Sequence, residues 1–253
     1  MPRNVAIIQA RMSSTRLPGK VLMPLLDRPT ILFMLARVRC ARRLDDIIVA
    51  TSTDSSDDLL ASTLQQANVN CFRGDLEDVL DRYHSAARYS RADNIVRLTG
   101  DCPLMDADLI DKALDLLAST QAHYVSNVDP PTFPDGLDVE AFTFDALQNA
   151  WEQALLPAER EHVTPFLRSR TDLFRSHSFN GISDLSALRW TVDHADDLDH
   201  VRALVERVGA RTPTDFDRFD LYRACEHDTS IGRQAKHPRN EGMASRPVSG
   251  EQK

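Results

Sequence analysis

The first 120 residues alternate between short, mainly apolar runs and longer amphipathic stretches, and this alternation restricts the fold more than any other feature. Each apolar run has the length of a buried strand, and the stretch after it places apolar residues at helical spacing. The predicted strands lie at residues 5–8, 47–50, 69–72 and 95–98. Strands that alternate with helices are typical of a mostly parallel sheet covered by helices on both faces. We therefore predict a three-layer α/β/α fold of the Rossmann-like type.

The second half of the chain is less regular. Residues 158–168 predict a helix and residues 188–192 predict a strand. From about residue 232 the chain turns polar, with Pro, Gly, Ser and mixed charges, and such a segment has too few apolar residues to stabilise a packed structure. We predict one domain, residues 1–232, followed by a disordered tail, residues 233–253.

The charges are unevenly distributed along the chain. The formal net charge is −8, yet residues 1–43 contain nine Lys or Arg against a single acid, Asp27. An acidic body argues against binding to nucleic acid or a membrane surface, whereas a local basic segment suits a small polyanion. No apolar run is long enough for a signal peptide or a membrane span, and the four cysteines are far apart. We expect a reduced, cytoplasmic protein.

A polar loop follows the first predicted strand and carries basic and hydroxyl side chains: Arg11, Ser13, Ser14, Thr15, Arg16 and Lys20. Arginine binds phosphate oxygens through a planar fork, lysine binds them as a point charge, and loop N–H groups add dipoles. The loop therefore suits a triphosphate. It is not a Walker loop, because Val21 follows the lysine where that motif needs Ser or Thr. An ordinary basic surface loop is the alternative interpretation.

Polar residues also follow the other predicted strands: Thr51, Arg73 and Asp101. Because the carboxyl ends of parallel strands lie at one edge of a sheet, we expect these residues near the basic loop. A carboxylate in the Asp101 turn suits Mg²⁺, which takes one or two carboxylates together with waters and substrate phosphates. A turn or helix-cap aspartate is the alternative. For Asp106 and Asp108, which precede a predicted helix, capping is the favoured interpretation.

Six further segments extend this pattern along the chain: 72–74 (FRG), 78–83 (DVLDRY), 99–103 (TGDCP), 133–140 (FPDGLDVE), 160–164 (REHVT) and 189–193 (RWTVD). Together with the loop, they resemble the cytidylyltransferases that activate acidic sugars, the acylneuraminate and Kdo type. Within that family they are most similar to the spore-coat-polysaccharide-biosynthesis subgroup. The resemblance extends from about residue 4 to about residue 222.

The resemblance implies a nucleotide-diphospho-sugar transferase fold, which is GT-A-like. It also implies a Mg²⁺-dependent nucleotidylyltransferase that transfers CMP from CTP to a sugar and releases pyrophosphate, in surface polysaccharide or glycoconjugate biosynthesis. A homodimer is a further implication. A metal-dependent glycosyltransferase with a nucleotide-sugar donor and a non-catalytic nucleotide-binding protein are the alternatives. The sugar, the general base and the choice of CTP over GTP stay open.

The resemblance also assigns roles to individual residues. The catalytic residues would be Arg16, Lys20 and Asp101. The nucleotide would be bound by Ala10, Arg11, Ser13, Ser14, Thr15, Arg16, Lys20, Thr51, Arg73 and Asp101. Mg²⁺ would be held by Asp101 and Asp193, although Asp193 on its own also fits a helix N-cap. The sugar would contact Asp135, Asp138, Glu140, His162 and Arg189. The segment that contains Asp135, Asp138 and Glu140 differs from the better-known sialic-acid and Kdo enzymes, which carry other acceptor-binding residues there.

Overall fold

The computed structural model describes residues 2–227 and 237–239. The strands are β1 (Asn4–Gln9), β2 (Pro24–Leu25), β3 (Arg28–Pro29), β4 (Asp46–Ser52), β5 (Asn70–Gly74), β6 (Asn94–Thr99), β7 (Tyr124–Ser126), β8 (Glu140–Thr143) and β9 (Ser176–Ser178). The α-helices are α1 (Thr30–Val38), α2 (Asp58–Gln66), α3 (Val79–Ser90), α4 (Ala107–Thr120), α5 (Phe144–Gln153), α6 (Pro157–His162), α7 (Pro165–Ser169), α8 (Ala195–Arg207) and α9 (Arg218–His227). The predicted disordered tail lies outside the described residues, except for 237–239.

Seven of the described strands form one sheet in the order β5-β4-β1-β6-β8-β7-β9. The strands β5, β4, β1 and β6 are parallel, and β8 pairs antiparallel with both β6 and β7. This mostly parallel sheet confirms the predicted α/β fold. Because β8 runs in the opposite direction, its first residue, Glu140, pairs with Arg97 near the end of β6. The start of β8 therefore lies at the same edge of the sheet as the ends of β1 and β6.

The side chains of the central strands are buried on both faces of the sheet. Along β1, Ala6 and Ile8 belong to one hydrophobic cluster, whereas Val5 and Ile7 belong to another. This assignment follows from the two-residue period of a strand, which directs successive side chains to opposite faces. The first cluster includes residues of α1, α2, α4, α8 and α9, and the second includes residues of α3, α5 and α7. The result is the predicted three-layer arrangement.

Two predicted elements differ from the structure. The helix predicted at 158–168 is divided into α6 and α7, because Pro165 has no N–H to continue the first helix and Val163 has a φ of 70°. The strand predicted at 188–192 is not a strand. Within it Arg189 forms only an isolated bridge with Asp135, which belongs to an irregular loop that offers no regular strand to pair with.

Among the described residues, every helix is too short or too polar to cross a bilayer.

All four cysteines, Cys40, Cys71, Cys102 and Cys225, are free thiols. Cys102, which adjoins Asp101, is buried, and burial raises the pKa of its thiol well above the ordinary value. A thiol held in its protonated form is a packed side chain rather than a nucleophile.

Candidate active site

A cavity of about 540 Å³ opens at the edge of the sheet where β1 and β6 end. One wall consists of the segment after β1 and the residues around the start of α3. The opposite wall consists of the residues before β8, the junction of α6 and α7, and the residues before α8. In open α/β sheets, ligands bind beyond the carboxyl ends of the strands. This cavity is therefore the candidate active site.

The loop after β1 is folded by its own backbone. Gly19 donates its N–H to the carbonyl oxygen of Met12 at 2.9 Å and adopts a left-handed φ of 74°, a conformation that favours glycine. The short 3₁₀ turn Lys20–Leu22 begins at the next residue. The hydroxyl of Thr30 donates to the carbonyl oxygen of Lys20 at 2.7 Å and ties this turn to α1. These bonds bring the side chain of Lys20 back over the end of the sheet.

A buried aspartate that the sequence analysis did not single out holds the other side of the loop. Asp57 is fully buried and accepts the N–H of Met12 at 2.6 Å and that of Ser52 at 3.1 Å. It also accepts the hydroxyl of Ser52. In the sequence Asp57 lies in a polar turn before a helix, where aspartates are common as caps. Nothing in the neighbouring sequence therefore predicted that its side chain contacts the loop after β1. The loop after β1 and the end of β4 thus share one anchor.

Four charged residues of the loop and the neighbouring segments form an ion cluster, which we call the lysine cluster: Arg16, Lys20, Asp101 and Asp193. The Nζ of Lys20 lies 3.1 Å from a carboxylate oxygen of Asp101 and 2.8 Å from one of Asp193. Arg16 pairs with Asp193 at 2.9 Å. Residues from three distant parts of the sequence therefore meet at one point.

The pKa shifts of Lys20, Asp101 and Asp193 favour the charged form of each side chain. Burial lowers the pKa of Lys20, but the charges of Asp101 and Asp193 more than offset this effect and raise it above its ordinary value. Burial likewise raises the pKa of both aspartates, and the neighbouring cations, above all Lys20, bring it below the ordinary value. Opposite charges at these distances favour the ionised forms.

Arg189 holds Asp193 from behind the cavity. Its guanidinium is buried and pairs with Asp193 at 3.2 Å, with Asp135 at 2.7 Å and with Asp197 at 2.9 Å. The N-cap of α8 is His194 rather than Asp193, and the side chain of Asp197, at the third position of the helix, accepts the N–H groups of Asp193 and His194 at 2.9 Å each. The N-cap interpretation of Asp193 is therefore wrong, and its carboxylate is directed to the lysine cluster.

The lysine cluster fits the predicted Mg²⁺ ion. Two carboxylates that converge on one ammonium group can also converge on a divalent cation, with waters and phosphate oxygens as the other ligands. Another group of possible metal ligands, Asp196, Asp197 and His237, lies at the start of α8. Asp101 and Asp193 line the cavity, whereas Asp196, Asp197 and His237 do not, so the donors that fit a metal bound together with a triphosphate are those of Asp101 and Asp193.

We call the residues around the start of the antiparallel strand the β8 side: Asp135, Asp138, Glu140, Glu161, His162 and Thr164. Glu140 is buried and accepts from Arg97 and from the hydroxyl of Tyr124, each at 2.5 Å. Burial raises the pKa of Glu140, but Arg97 reverses the shift and lowers it below the ordinary value. For Asp138 burial dominates and raises the pKa to about 7.

Arg239 contacts the β8 side of the cavity. Arg239 donates to the carbonyl oxygen of Phe133 at 3.1 Å and pairs with Asp138. The ring of His237 stacks on that of His194, with 3.8 Å between their centroids. Within the predicted tail, Arg239 thus lies against Asp138, which lines the cavity.

The structure brings most of the predicted site residues to the cavity. Those that line it are Ala10, Arg11, Ser14, Thr15, Arg16, Lys20, Asp101, Asp135, Asp138, Glu140, His162 and Asp193. Those that do not are Ser13, Thr51, Arg73 and Arg189. Thr51 is fully buried, and Arg73 is directed away from the cavity because its guanidinium is bonded to the carbonyl oxygen of Ser52 and to Asp58, each at 2.7 Å.

Other residues line the cavity although the sequence analysis did not name them as site residues, and they include Gln9, Arg82, Arg97, Thr99 and Thr164. Arg82 lies within the DVLDRY segment, where helical periodicity marked only the apolar positions. Arg82 follows Val79 by three residues, which places the two on the same face of α3. The helical period of the sequence could therefore have identified Arg82.

Comparisons with known proteins identify a matching family. The family model described as cytidylyltransferase matches residues 5–226. The spore coat polysaccharide biosynthesis protein SpsF of Bacillus subtilis is 33% identical over 211 residues, which are 81% of this chain and 87% of SpsF. The resemblance that the motifs indicated is confirmed.

Solved structures have the same fold. A cytidylyltransferase from Leptospira borgpetersenii superimposes with a TM-score of 0.88 at 32% identity, covering 94% of this chain and all of that one. A CMP:2-keto-3-deoxy-manno-octonic acid synthetase, solved in complex with CTP, gives a TM-score of 0.61 at 19% identity, covering 81% of this chain and 98% of that one. At 19% identity, the similarity to the synthetase shows the fold alone.

Proposed function

The chain belongs to the cytidylyltransferase family and is a nucleotidyltransferase enzyme, and from this premise we propose that it transfers CMP from CTP to a sugar hydroxyl, with Mg²⁺ and release of pyrophosphate. The observation that carries the proposal is the lysine cluster. Two carboxylates, an ammonium and a guanidinium meet beyond the carboxyl ends of β1 and β6, where they form three ion pairs of 2.8–3.1 Å. This set matches what a triphosphate and its metal require.

The transfer joins the sugar oxygen to the α-phosphorus of CTP and breaks the bond from that phosphorus to the β-phosphate oxygen. The hydroxyl proton is released, and pyrophosphate leaves with the bonding electrons. Negative charge grows on the phosphoryl oxygens and on the leaving pyrophosphate. Lys20 and Arg16 lie where fixed positive charge stabilises that change, and because they are held in place beforehand, they need no reorganisation during the reaction.

Asp101 and Asp193 would hold the Mg²⁺ ion. When bound, Mg²⁺ neutralises phosphate charge and orients the phosphoryl group for in-line attack. The two aspartates also orient Lys20 when they contact it directly. Arg189 keeps the carboxylate of Asp193 in position through its own buried contacts with Asp135 and Asp197.

The β8 side would bind the sugar. Its carboxylates and the hydroxyl of Thr164 are acceptors for sugar hydroxyl groups, and His162 borders the same space. A role in surface polysaccharide or glycoconjugate biosynthesis is supported by the relative that is named for spore coat polysaccharide biosynthesis.

Pyrophosphate release tests the proposal. The full chain is incubated with Mg²⁺, one of the four nucleoside triphosphates, and a panel of acidic and neutral sugars. We expect pyrophosphate only with CTP and only when a suitable sugar is present, and a CMP-sugar in equal amount. A preference for GTP would overturn the choice of CTP. Consumption of a nucleotide-sugar without pyrophosphate would show a glycosyltransferase and overturn the proposal.

A further inference from the structure

Arg239 lies in the carboxyl-terminal segment that composition predicts to be disordered, yet only 16% of its side chain is exposed. Its guanidinium donates to the carbonyl oxygen of Phe133 at 3.1 Å and pairs with the carboxylate of Asp138. These two acceptors lie at the two ends of a short loop before β8, residues 133–138. One side chain therefore connects both ends of that loop.

The middle of the same loop is held by the rest of the domain. Asp135 donates its N–H to the carbonyl oxygen of Leu188 at 2.9 Å and accepts the N–H of Trp190 at 2.6 Å. The side-chain amide of Asn127 donates to the carbonyl oxygen of Leu137 at 2.8 Å. The loop is thus fixed by two sources of contacts, and the carboxyl-terminal segment is one of them.

Three carboxylates of the β8 side each pair with a different arginine. The pairs are Asp135–Arg189, Glu140–Arg97 and Asp138–Arg239. Arg97 and Arg189 lie within residues 5–226, which the family model matches, whereas Arg239 lies beyond them. Removal of one partner of a buried pair leaves an uncompensated charge. The charge balance of the β8 side therefore depends on a residue outside the matched region.

A second contact places Arg239. The ring of His237 stacks on that of His194 at the start of α8, with 3.8 Å between the centroids, and its Nε2 lies 3.3 Å from a carboxylate oxygen of Asp196. Between His237 and Arg239 stands Pro238, whose ring fixes one of its two backbone dihedral angles. Anchoring of the histidine therefore brings the arginine to the loop at a reduced cost in conformational entropy.

From these contacts, and resting on the function proposed above, we propose that Arg239 is a positioning residue for the sugar: it holds the loop of residues 133–138 and the carboxylate of Asp138 in the arrangement that receives the sugar hydroxyl groups. Arg239 acts through Asp138, which lines the cavity. The lysine cluster is held by ion pairs of its own, so binding of the triphosphate does not depend on Arg239.

The Michaelis constants of the two substrates test this in the full chain with Mg²⁺. The substrates are CTP and the sugar of the panel that supports pyrophosphate release. We expect Arg239→Gln to raise KM for the sugar about 10-fold, the scale of one hydrogen bond to a charged group, and to leave KM for CTP within about twofold of wild type. Arg239→Lys keeps the charge and should recover most of the loss.

Two comparisons separate this role from a general effect on structure. Arg223→Gln removes an arginine that pairs with Asp220 on the exposed face of α9, and it should leave both Michaelis constants unchanged. In an Asp138→Asn background, Arg239→Gln should raise KM for the sugar by less than about threefold, because residues that act through one contact are not additive.

The contact between Arg239 and Asp138 can be tested without any sugar. Melting temperatures are measured at pH 8, above the pKa of about 7 of Asp138, for wild type, Arg239→Gln, Asp138→Asn and the double variant. We expect Arg239→Gln to lower the melting temperature by a few degrees when Asp138 is present and by less when it is replaced. Equal losses in the two backgrounds would show that the pair contributes nothing and would overturn the proposal.

The outcomes are distinguishable. An unchanged KM for the sugar in Arg239→Gln, or an equal rise in both Michaelis constants, would overturn the role of Arg239 and leave the proposed function standing. A fall in KM for the sugar would show that Arg239 obstructs the sugar, which also overturns the role. If no sugar supports pyrophosphate release, the proposed function fails and the role of Arg239 in sugar binding fails with it, whereas the melting temperatures still report on the pair.

Discussion

The lysine cluster and the β8 side belong to one cavity, yet Asp193 in the first and Asp138 in the second lie in opposite electrostatic surroundings. Burial acts on Asp193 and Asp138 alike and raises the pKa of each. In the lysine cluster, the charges of Lys20 and Arg16 reverse that shift, and the pKa of Asp193 falls below its ordinary range. On the β8 side, Arg239 offsets only part of the shift, and the pKa of Asp138 remains at about 7.

The difference indicates a division of work. A carboxylate with a depressed pKa stays charged at every physiological pH, and permanent charge is what a metal and a triphosphate require. A carboxylate that titrates near neutrality can accept a hydrogen bond in one state and donate one in the other, which suits neutral hydroxyl groups.

Removal of charge from the lysine cluster should have the largest effect. Asp101→Asn keeps the size of the side chain but removes one of the two carboxylates that face Lys20. We expect kcat for pyrophosphate release to fall by about 10²-fold or more, the scale of one preorganised electrostatic contact. The matched control is Asp108→Asn, an exposed aspartate at the start of α4, which should retain full activity. Equal kcat in Asp101→Asn and wild type would remove Asp101 from the mechanism.

Asp193 should act with Asp101 as one unit. Asp193→Asn is expected to lower kcat as much as Asp101→Asn, and the double variant should cost little more than either single one, because residues that share a function are not additive. Steady-state kinetics of the three variants at several Mg²⁺ concentrations provide the measurement. Losses that multiply in the double variant would contradict a shared metal.

The contrast between the two sides also explains what the sequence could predict. The strand–helix alternation predicted the parallel sheet, and the position of Asp101 after a buried strand predicted its place at the edge, because both signals are local. Arg73 lies at the end of the third predicted strand, yet its guanidinium bonds to the carbonyl oxygen of Ser52 and to Asp58 and does not line the cavity. Topology predicts which edge a residue occupies, but not the direction of its side chain.

The features that the sequence did not predict are contacts between distant segments. Asp57 reaches the loop after β1 across 45 positions of the chain, and Arg189 meets Asp135 across 54. Neither contact has a periodic or motif signal, since each depends on how loops pack after the sheet has formed. Val163, whose positive φ separates α6 from α7, is likewise unexpected for a β-branched residue.

Loosening the loop after β1 should have an intermediate effect. Asp57→Asn replaces a charged acceptor that binds two backbone amides and a hydroxyl. We expect KM for CTP to rise about 10-fold, since a hydrogen bond to a charged group contributes about 1.5–3 kcal/mol, while kcat changes less. Asp58→Asn, at the exposed neighbouring position, is the control. A normal KM for CTP in Asp57→Asn would show that the loop is held by other contacts.

The smallest effect concerns the β8 side and depends on pH. The pKa of Asp138 is about 7 in the folded protein, against 3.8 as its ordinary value. Between about pH 4 and pH 7, the folded state therefore holds more protons at this site than the unfolded state, and stability falls as the pH rises. Asp138→Asn cannot titrate, so the melting temperature of wild type minus that of the variant should be higher at pH 5 than at pH 8, by a few degrees.

The change of that difference with pH is the quantity to measure, because it cancels any constant effect of losing the pair with Arg239. Asp184→Asn provides the control. Asp184 is fully exposed and its pKa is below the ordinary value, chiefly because it accepts a hydrogen bond from Ser186. Asp184 is therefore ionised throughout this range, so the melting temperature of wild type minus that of Asp184→Asn should not vary between pH 5 and pH 8. If the difference for Asp138→Asn is equally constant, Asp138 is ionised like Asp193, and the two sides of the cavity do not differ in charge near neutral pH.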